Sequence, residues 1–298
     1  MEANDMERIL VTGGCGFLGR HLINELLKKY KDIVIITLSR NENNVMKTIT
    51  KCADKRLIPI VGDIKDIDTV KYALKNVDMV IHLAAMKHID LCEANPSEAI
   101  DINVNGTKNL LKCFKGNTFI AMSTDKAVEP LGCYGATKLL MEKLVLERAR
   151  SDSSRKYLIV RSGNIFGSSG SVIEKWQQQI ESNNRITITD PEMTRFFTHV
   201  ESLVRFIIDT IENCESGKIY IPYQKVIKLE DLARCAIELL GDRNTEIEVI
   251  GLRKGERLDE KLFFEGENII TNLNEGFSRD ADRMSSEDIM KLLNSIKS

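Results

Sequence analysis

Two short stretches gather side chains that can move protons. Ser123-Thr124-Asp125-Lys126 follows the apolar run Phe119-Ile120-Ala121-Met122, and Tyr134-Gly135-Ala136-Thr137-Lys138 comes shortly after. On a helix, Tyr134 and Lys138 at i and i+4 stand on one face, a turn apart. An ammonium beside a phenol favours the ionised phenolate. A phenol so poised can take a proton from an alcohol while a hydride leaves the same carbon. Thr124 can orient that alcohol. Asp125 and Lys126 add an acid and a base that alcohol oxidation alone does not need, and the functional reading rests on that surplus.

These residues need a scaffold, and the chain supplies one. Apolar runs at 8–12, 33–38, 57–61, 77–83, 119–122 and 158–161 alternate with helical patterns, which predicts an α/β fold with a doubly wound parallel sheet. The first run leads into Gly13-Gly14-Cys15-Gly16-Phe17-Leu18-Gly19 and then an amphipathic stretch. Strand, glycine turn and helix are the context of a dinucleotide fingerprint, with G-x-x-G-x-x-G spacing here. The turn brings backbone close to a pyrophosphate, whose charge sits on the helix N-terminus. The second run ends at Ser39-Arg40. A serine and an arginine there suit a 2′-phosphate and favour NADP over NAD; the plainer alternative is a solvated loop arginine. Asp63 can accept from an adenine amine or cap the following helix. Ala84 and Ala85, after the fourth run, leave room for a flat ring. Lys87 and His88 come next; His88 could be catalytic but reads better as a loop or half-buried histidine, and His82 as structural. A single helix is expected from Pro96 to about Lys115, with Asn103 or Asn105 bonding a neighbouring loop.

The pattern loosens after Ser162. The glycine- and serine-rich stretch from Gly163 to Val172 reads either as a flexible linker or as a wall of backbone donors around a sugar or phosphate. Arg195, in Met193-Thr194-Arg195-Phe196-Phe197, can hold a phosphate through a bidentate fork or simply cover an aromatic core edge. Arg253 is a second pyrophosphate candidate. We place a boundary near residue 165. Residues 1–165 form a cofactor-binding domain and 166–298 a smaller lobe, whose chain can re-enter the sheet.

Composition narrows the function classes. The chain has 298 residues, 42 Lys+Arg against 44 Asp+Glu, and a formal charge of -2. That balance argues against nucleic acid or an anionic membrane as partner. The 7 cysteines include no C-x-x-C pair, and neither they nor the 4 histidines show zinc-ligand spacing, so free thiols and no metal are expected. No apolar run approaches ~18 residues and no signal peptide opens the chain, which predicts a cytoplasmic protein.

Taken together, these motifs resemble the extended short-chain dehydrogenases/reductases. Among them the chain is similar to nucleotide-sugar 4,6-dehydratases of polysaccharide biosynthesis, those acting on UDP-N-acetylglucosamine above all. The resemblance runs from about Arg8 to Phe264. It is carried by Ala84-Ala85-Met86-Lys87-His88, Ser123 to Val128, Tyr134 to Lys138, Ser162-Gly163-Asn164, Gly170 to Ile173, Thr189 to Phe197 and Gly255-Glu256. Cys15 and Lys254 depart from the family's usual Thr/Ser and Pro.

The resemblance implies a Rossmann fold with a substrate-binding C-terminal lobe. It implies NADP held by Gly13, Gly16, Phe17, Leu18, Gly19, Ser39, Arg40, Asp63, Ile64, Ala84, Lys87, Tyr134, Lys138 and Ile165. It implies a UDP-sugar held by Lys87, Thr124, Asn164, Ser169, Gly170, Ser171, Val172, Arg195 and Arg253. Catalysis would fall to Thr124, Asp125, Lys126, Tyr134 and Lys138. Tyr134 would take the C4 hydroxyl proton, a Lys126 of lowered pKa the C5 proton, and a protonated Asp125 would release the C6 hydroxyl as water. A UDP-sugar C4-epimerase is the rival reading, with no task for Asp125 and Lys126; a non-enzymatic NADP-binding regulator is a remoter one. A homo-oligomer is expected.

Overall fold

The computed structural model describes residues 7–168, 170–252 and 255–297. The six apolar runs become strands β1 (Glu7–Thr12), β2 (Ile33–Ser39), β3 (Leu57–Val61), β4 (Met79–His82), β5 (Thr118–Thr124) and β6 (Lys156–Ser162). Later come β7 (Asn164–Ile165), β8 (Arg185–Ile188), β9 (Thr194–Thr198), β10 (Ile219–Ile221), β11 (Lys225–Lys228), β12 (Glu246–Val249) and β13 (Ile269–Thr271). Eight strands form one sheet in the order β13-β10-β6-β5-β4-β1-β2-β3, and every pair in it is parallel. Strands β10 and β13 thus extend the sheet from the C-terminal part of the chain. The order reverses beside β1, and in such sheets ligands bind at the carboxyl ends of the strands near that point.

Helices cover both faces, which explains why the strands read as continuous apolar runs. Alternate residues feed two separate cores. Leu10, Ile36, Val80, Phe119 and Ile159 pack on one face; Ile9, Ile35, Ile81, Ile120 and Val160 pack on the other. A third core around Trp176, Ile186 and Leu232 fills the C-terminal part. Between these cores Arg161 is buried on β6. It forks onto Glu142 at 3.0 and 2.7 Å and onto Glu267 at 2.9 and 2.9 Å, tying the helix Cys133–Ser151 and the C-terminal segment to the sheet.

The single helix expected from Pro96 is interrupted. α-Helix Pro96–Ile100 passes through a π-helical segment, Asp101–Gly106, before Thr107–Cys113 resumes. The cause is Asn103. Its buried amide accepts from Met86 N at 2.8 Å and donates to Met86 O and to Thr137 Oγ1, each at 2.9 Å. A side chain with three tertiary partners outweighs regular helix spacing. Among the described residues no helix is long and apolar enough to cross a membrane, and no cluster of His, Cys, Asp or Glu could hold a metal ion.

His82 closes β4 in full burial, bonded to Thr12 Oγ1 at 2.7 Å and Thr107 Oγ1 at 2.9 Å. Burial, with the Lys138 charge added, pulls its pKa from 6.5 down to about 3. The unfolded chain therefore binds the proton first as pH falls. Stability from keeping the ring neutral is complete above about pH 6.5 and is lost as pH drops toward 3, at about 1.4 kcal/mol per pH unit. Urea denaturation between pH 7 and pH 4 is expected to show that slope, and His82→Gln is expected to lose it.

Candidate functional site

A cavity of about 1030 Å³ opens along the carboxyl ends of the strands. Its floor begins at the glycine turn. Gly13 has φ +68, and a Cβ there would meet Ala84 N at 2.8 Å, so only glycine lets β1 turn beneath the Ala84 backbone. Gly16 then starts the helix Phe17–Lys29 with no side-chain cap. An uncapped N-terminus facing a cavity is a ready anion site. Phe17, Leu18, Gly19, Ser39, Arg40, Asp63, Ile64, Ala84, Lys87 and Ile165 all line the same cavity. Arg40 is exposed and leans on Asp63 at 3.6 Å and Glu98 at 3.7 Å. Asp63 does not cap the next helix; Asp66 does, accepting from Asp68 N and Thr69 N. Burial lowers the Lys87 pKa.

The stretch after Ser162 is an anchored wall and not a linker. Gly163 N donates to Gln224 Oε1 at 2.8 Å, Asn164 Nδ2 to Phe196 O at 3.1 Å, and Phe166 N to Thr198 O at 3.0 Å. Asn164, Gly170, Ser171 and Val172 line the cavity. Ser169 and Arg253 lie outside the described residues.

The proton-moving residues meet at the end of β5. Thr124, Lys126, Tyr134 and Lys138 line the cavity together. Their meeting depends on Gly135. A Cβ there would stand 2.1 Å from Lys126 O, so the start of the helix Cys133–Ser151 packs directly on the 125–127 turn. Glu93, which the sequence reading passed over, accepts from Cys133 N at the N-terminus of that helix.

The geometry corrects three expectations about charge. First, Lys138 does not lower the Tyr134 pKa. Its ammonium donates to Met122 O at 2.7 Å, and burial brings its own pKa down to about 8 against the pull of Glu142. Tyr134 is pushed up to about 12, because burial outweighs the neighbouring Lys126 charge and its hydrogen bond with Thr124.

Second, the Lys126 pKa is raised, not lowered. Burial works against the ammonium, but Asp125 and Glu260 together outweigh it. Third, Asp125 is fully buried and lines neither this cavity nor a smaller one beside it. Its Oδ1 accepts from Thr124 Oγ1 at 2.7 Å, Lys126 N at 2.9 Å and Lys126 Nζ at 3.0 Å. Its Oδ2 is buried with no partner. Thr124 and Lys126 thus stand between this carboxylate and the cavity.

Arg195 also differs from expectation. It lines the cavity, but its Nη1 donates to Thr194 O and Leu258 O, and its Nη2 to Arg257 O. Backbone carbonyls therefore occupy most of the fork that a phosphate would need.

The chain matches the family described as polysaccharide biosynthesis protein over residues 9–279. It is 37% identical to an uncharacterized membrane protein of Methanocaldococcus jannaschii, covering 90% of this chain and 83% of that one. It is 35% identical to a UDP-N-acetylglucosamine 4,6-dehydratase (inverting) of Campylobacter jejuni, over 89% of this chain and 80% of the relative. A UDP-glucose 4-epimerase of Rickettsia akari is 31% identical over 96% and 94%. Among solved structures, Pen from Bacillus thuringiensis superposes with a TM-score of 0.89 at 30% identity, covering 100% of this chain and 99% of that one.

The contact beneath Gly135 gives a direct test. Gly135→Ala forces the new methyl against the Lys126 carbonyl, and overpacking of this kind costs about 1–3 kcal/mol. Urea denaturation of the variant is expected to show that loss.

Proposed function

Because this chain belongs to the polysaccharide biosynthesis protein family, we propose that it is an NADP-dependent nucleotide-sugar 4,6-dehydratase. Its substrate is UDP-N-acetylglucosamine and its product a UDP-2-acetamido-2,6-dideoxy-hexos-4-ulose. One observation carries the reading: an aspartate and a lysine, paired at 3.0 Å, stand beside a cavity-lining tyrosine. The Campylobacter relative's name supports the reaction class.

The residues divide the work. The turn at Gly13 to Gly19, with Ser39 and Arg40, would hold the cofactor's phosphates, and Tyr134 and Lys138 its nicotinamide ribose. A nicotinamide dinucleotide held there would supply a hydride acceptor for C4 and a hydride donor for C6. The positive charge of a bound nicotinamide would offset the burial that raises the Tyr134 pKa, so that its phenolate can take the C4 hydroxyl proton, and the resulting ketone acidifies the C5 hydrogen. Passing the Lys126 proton to Asp125 along their hydrogen bond turns an ion pair into a base and an acid at once, with no change in net charge. Lys126 then removes the C5 proton. Asp125 is buried behind Thr124, so its proton passes through the Thr124 hydroxyl that bonds its Oδ1 and lines the cavity; the C6 hydroxyl leaves as water, and Lys126 gives the proton back to C5 as C6 regains the hydride. Asn164, Gly170, Ser171 and Val172 form the sugar nucleotide's wall, with Lys87 beside it. Residues 1–165 and 166–298 are read as cofactor and substrate parts.

The seven cysteines are free thiols, which suits a reducing cytoplasm. Exposed Leu91, Ile100 and Leu140 favour a homo-oligomer through the helices that carry them. The Rickettsia relative favours C4 epimerisation as the second reading, which leaves Asp125 and Lys126 without a task.

Mass spectrometry separates the two readings. With UDP-N-acetylglucosamine and no added reductant, the product is expected to be lighter by one water, whereas an epimerase gives equal mass. Lys126→Ala is expected to lower the rate of water loss about 10²–10⁴-fold while leaving the fold intact by circular dichroism. Undiminished water loss in that variant would remove Lys126 from the mechanism.

A further inference from the structure

One buried carboxyl beside the site has no part in the reading above. Glu260 is 6% exposed. Its Oε1 lies 3.6 Å from Lys126 Nζ and 3.6 Å from Arg195 Nε. It also lines a separate cavity of about 180 Å³, shared with Lys126, Tyr134, Arg195 and Arg257. An anion in such a place needs strong partners to stay charged.

The protein goes to some length to place it. Thr194 N donates to Leu258 O at 3.0 Å, and Thr194 Oγ1 to Asp259 Oδ1 at 2.6 Å. Thr194 Oγ1 also bonds Ser278 Oγ at 2.6 Å, and that serine accepts from Glu260 N at 2.9 Å. Arg195 holds the carbonyls of Arg257 and Leu258. The Thr194-Arg195 pair therefore builds a shelf on β9 that carries Glu260 to Lys126.

We infer that Glu260 is a positioning residue, which holds the Lys126 ammonium at the cavity wall and sets the pH at which that lysine releases its proton. The inference rests on the proposed reaction for the lysine's task and on the geometry for the coupling. Lys126 is faced by Asp125 from its own turn, Glu260 from the C-terminal segment, Arg195 from β9 and Tyr134 from the helix Cys133–Ser151. Two carboxylates oppose one other cation. Removing the Glu260 charge leaves Asp125 alone to hold the proton on Lys126, so the amine becomes free at lower pH. Burial pushes the Glu260 pKa upward, with the Lys126 charge opposing it and the Asp125 charge adding to it.

The test labels the full chain with acetic anhydride across a pH series and quantifies acetyl-Lys126 by peptide mass spectrometry. Labelling reports the free amine whether or not the lysine is catalytic. In Glu260→Gln the pH at which Lys126 becomes reactive is expected to fall by about one unit or more, while Lys65 stays unchanged. Glu260→Asp, which keeps the charge but withdraws it, is expected to fall between. The alkaline limb of the rate of water loss, where the proton shared by Lys126 and Asp125 is lost to solvent, is expected to move with the labelling curve. An unmoved labelling curve in folded Glu260→Gln overturns the inference; if that variant does not fold, an unmoved curve in Glu260→Asp does so. A shifted curve with an unmoved alkaline activity limb upholds the coupling and rejects Lys126 as the base of the proposed reaction.

Discussion

A helix that buries a threonine, a lysine and a glutamate must find each of them a partner, and the helix Cys133–Ser151 does so three times. Thr137 meets the Asn103 amide, Lys138 the Met122 carbonyl and Glu142 the Arg161 guanidinium. Leaving any of the three unpaired costs more than a typical packing defect. The partners come from three places: the π-helical segment, the later half of β5 and the end of β6. Satisfying them together fixes the helix in rotation and in height. Tyr134, one turn before Lys138, is then held at the cavity wall as a consequence of buried polar chemistry.

The same logic explains the charge cluster. Asp125, Lys126 and Glu260 are largely withdrawn from water, where a charged group needs partners close by. Burial alone pulls the Lys126 pKa down; the two carboxylates outweigh it. Such a cluster is poised for proton transfer. Its members sit close together, and a proton that moves within it changes the local charge pattern without exchange with solvent. Gly135 is what allows the cluster to touch the helix bearing Tyr134, since a side chain there would wedge the two apart.

Much of the scaffold was legible beforehand for a simple reason. A central parallel strand is buried on both faces, so β1 to β6 appear as apolar runs, and each is punctuated by glycine or by polar residues at its exit. The short strands β7, β9, β11 and β13 carry no such signature. They pair through contacts made far along the chain, as when β9 lies between β7 and β11. The π-helical segment was invisible too, because only the tertiary partners of Asn103 make it favourable. The asparagine itself did stand out, as a poor interior helix residue with reason to bond elsewhere.

For the site, the sequence by itself determined which kinds of group are present: a tyrosine and a lysine one turn apart, an adjacent acid and base, and a glycine turn between strand and helix. Spacing of a few residues fixes such local relations, whatever the rest of the chain does. Tertiary structure decided what those groups are charged against. It turned Lys138 toward a carbonyl and Arg195 toward the 257–258 backbone. It buried Asp125 behind its neighbours, and it brought Glu260 from more than a hundred residues away to Lys126. A pKa and a hydrogen-bond partner depend on burial and on charges a few ångströms off, and both are properties of the folded chain, not of any window along it.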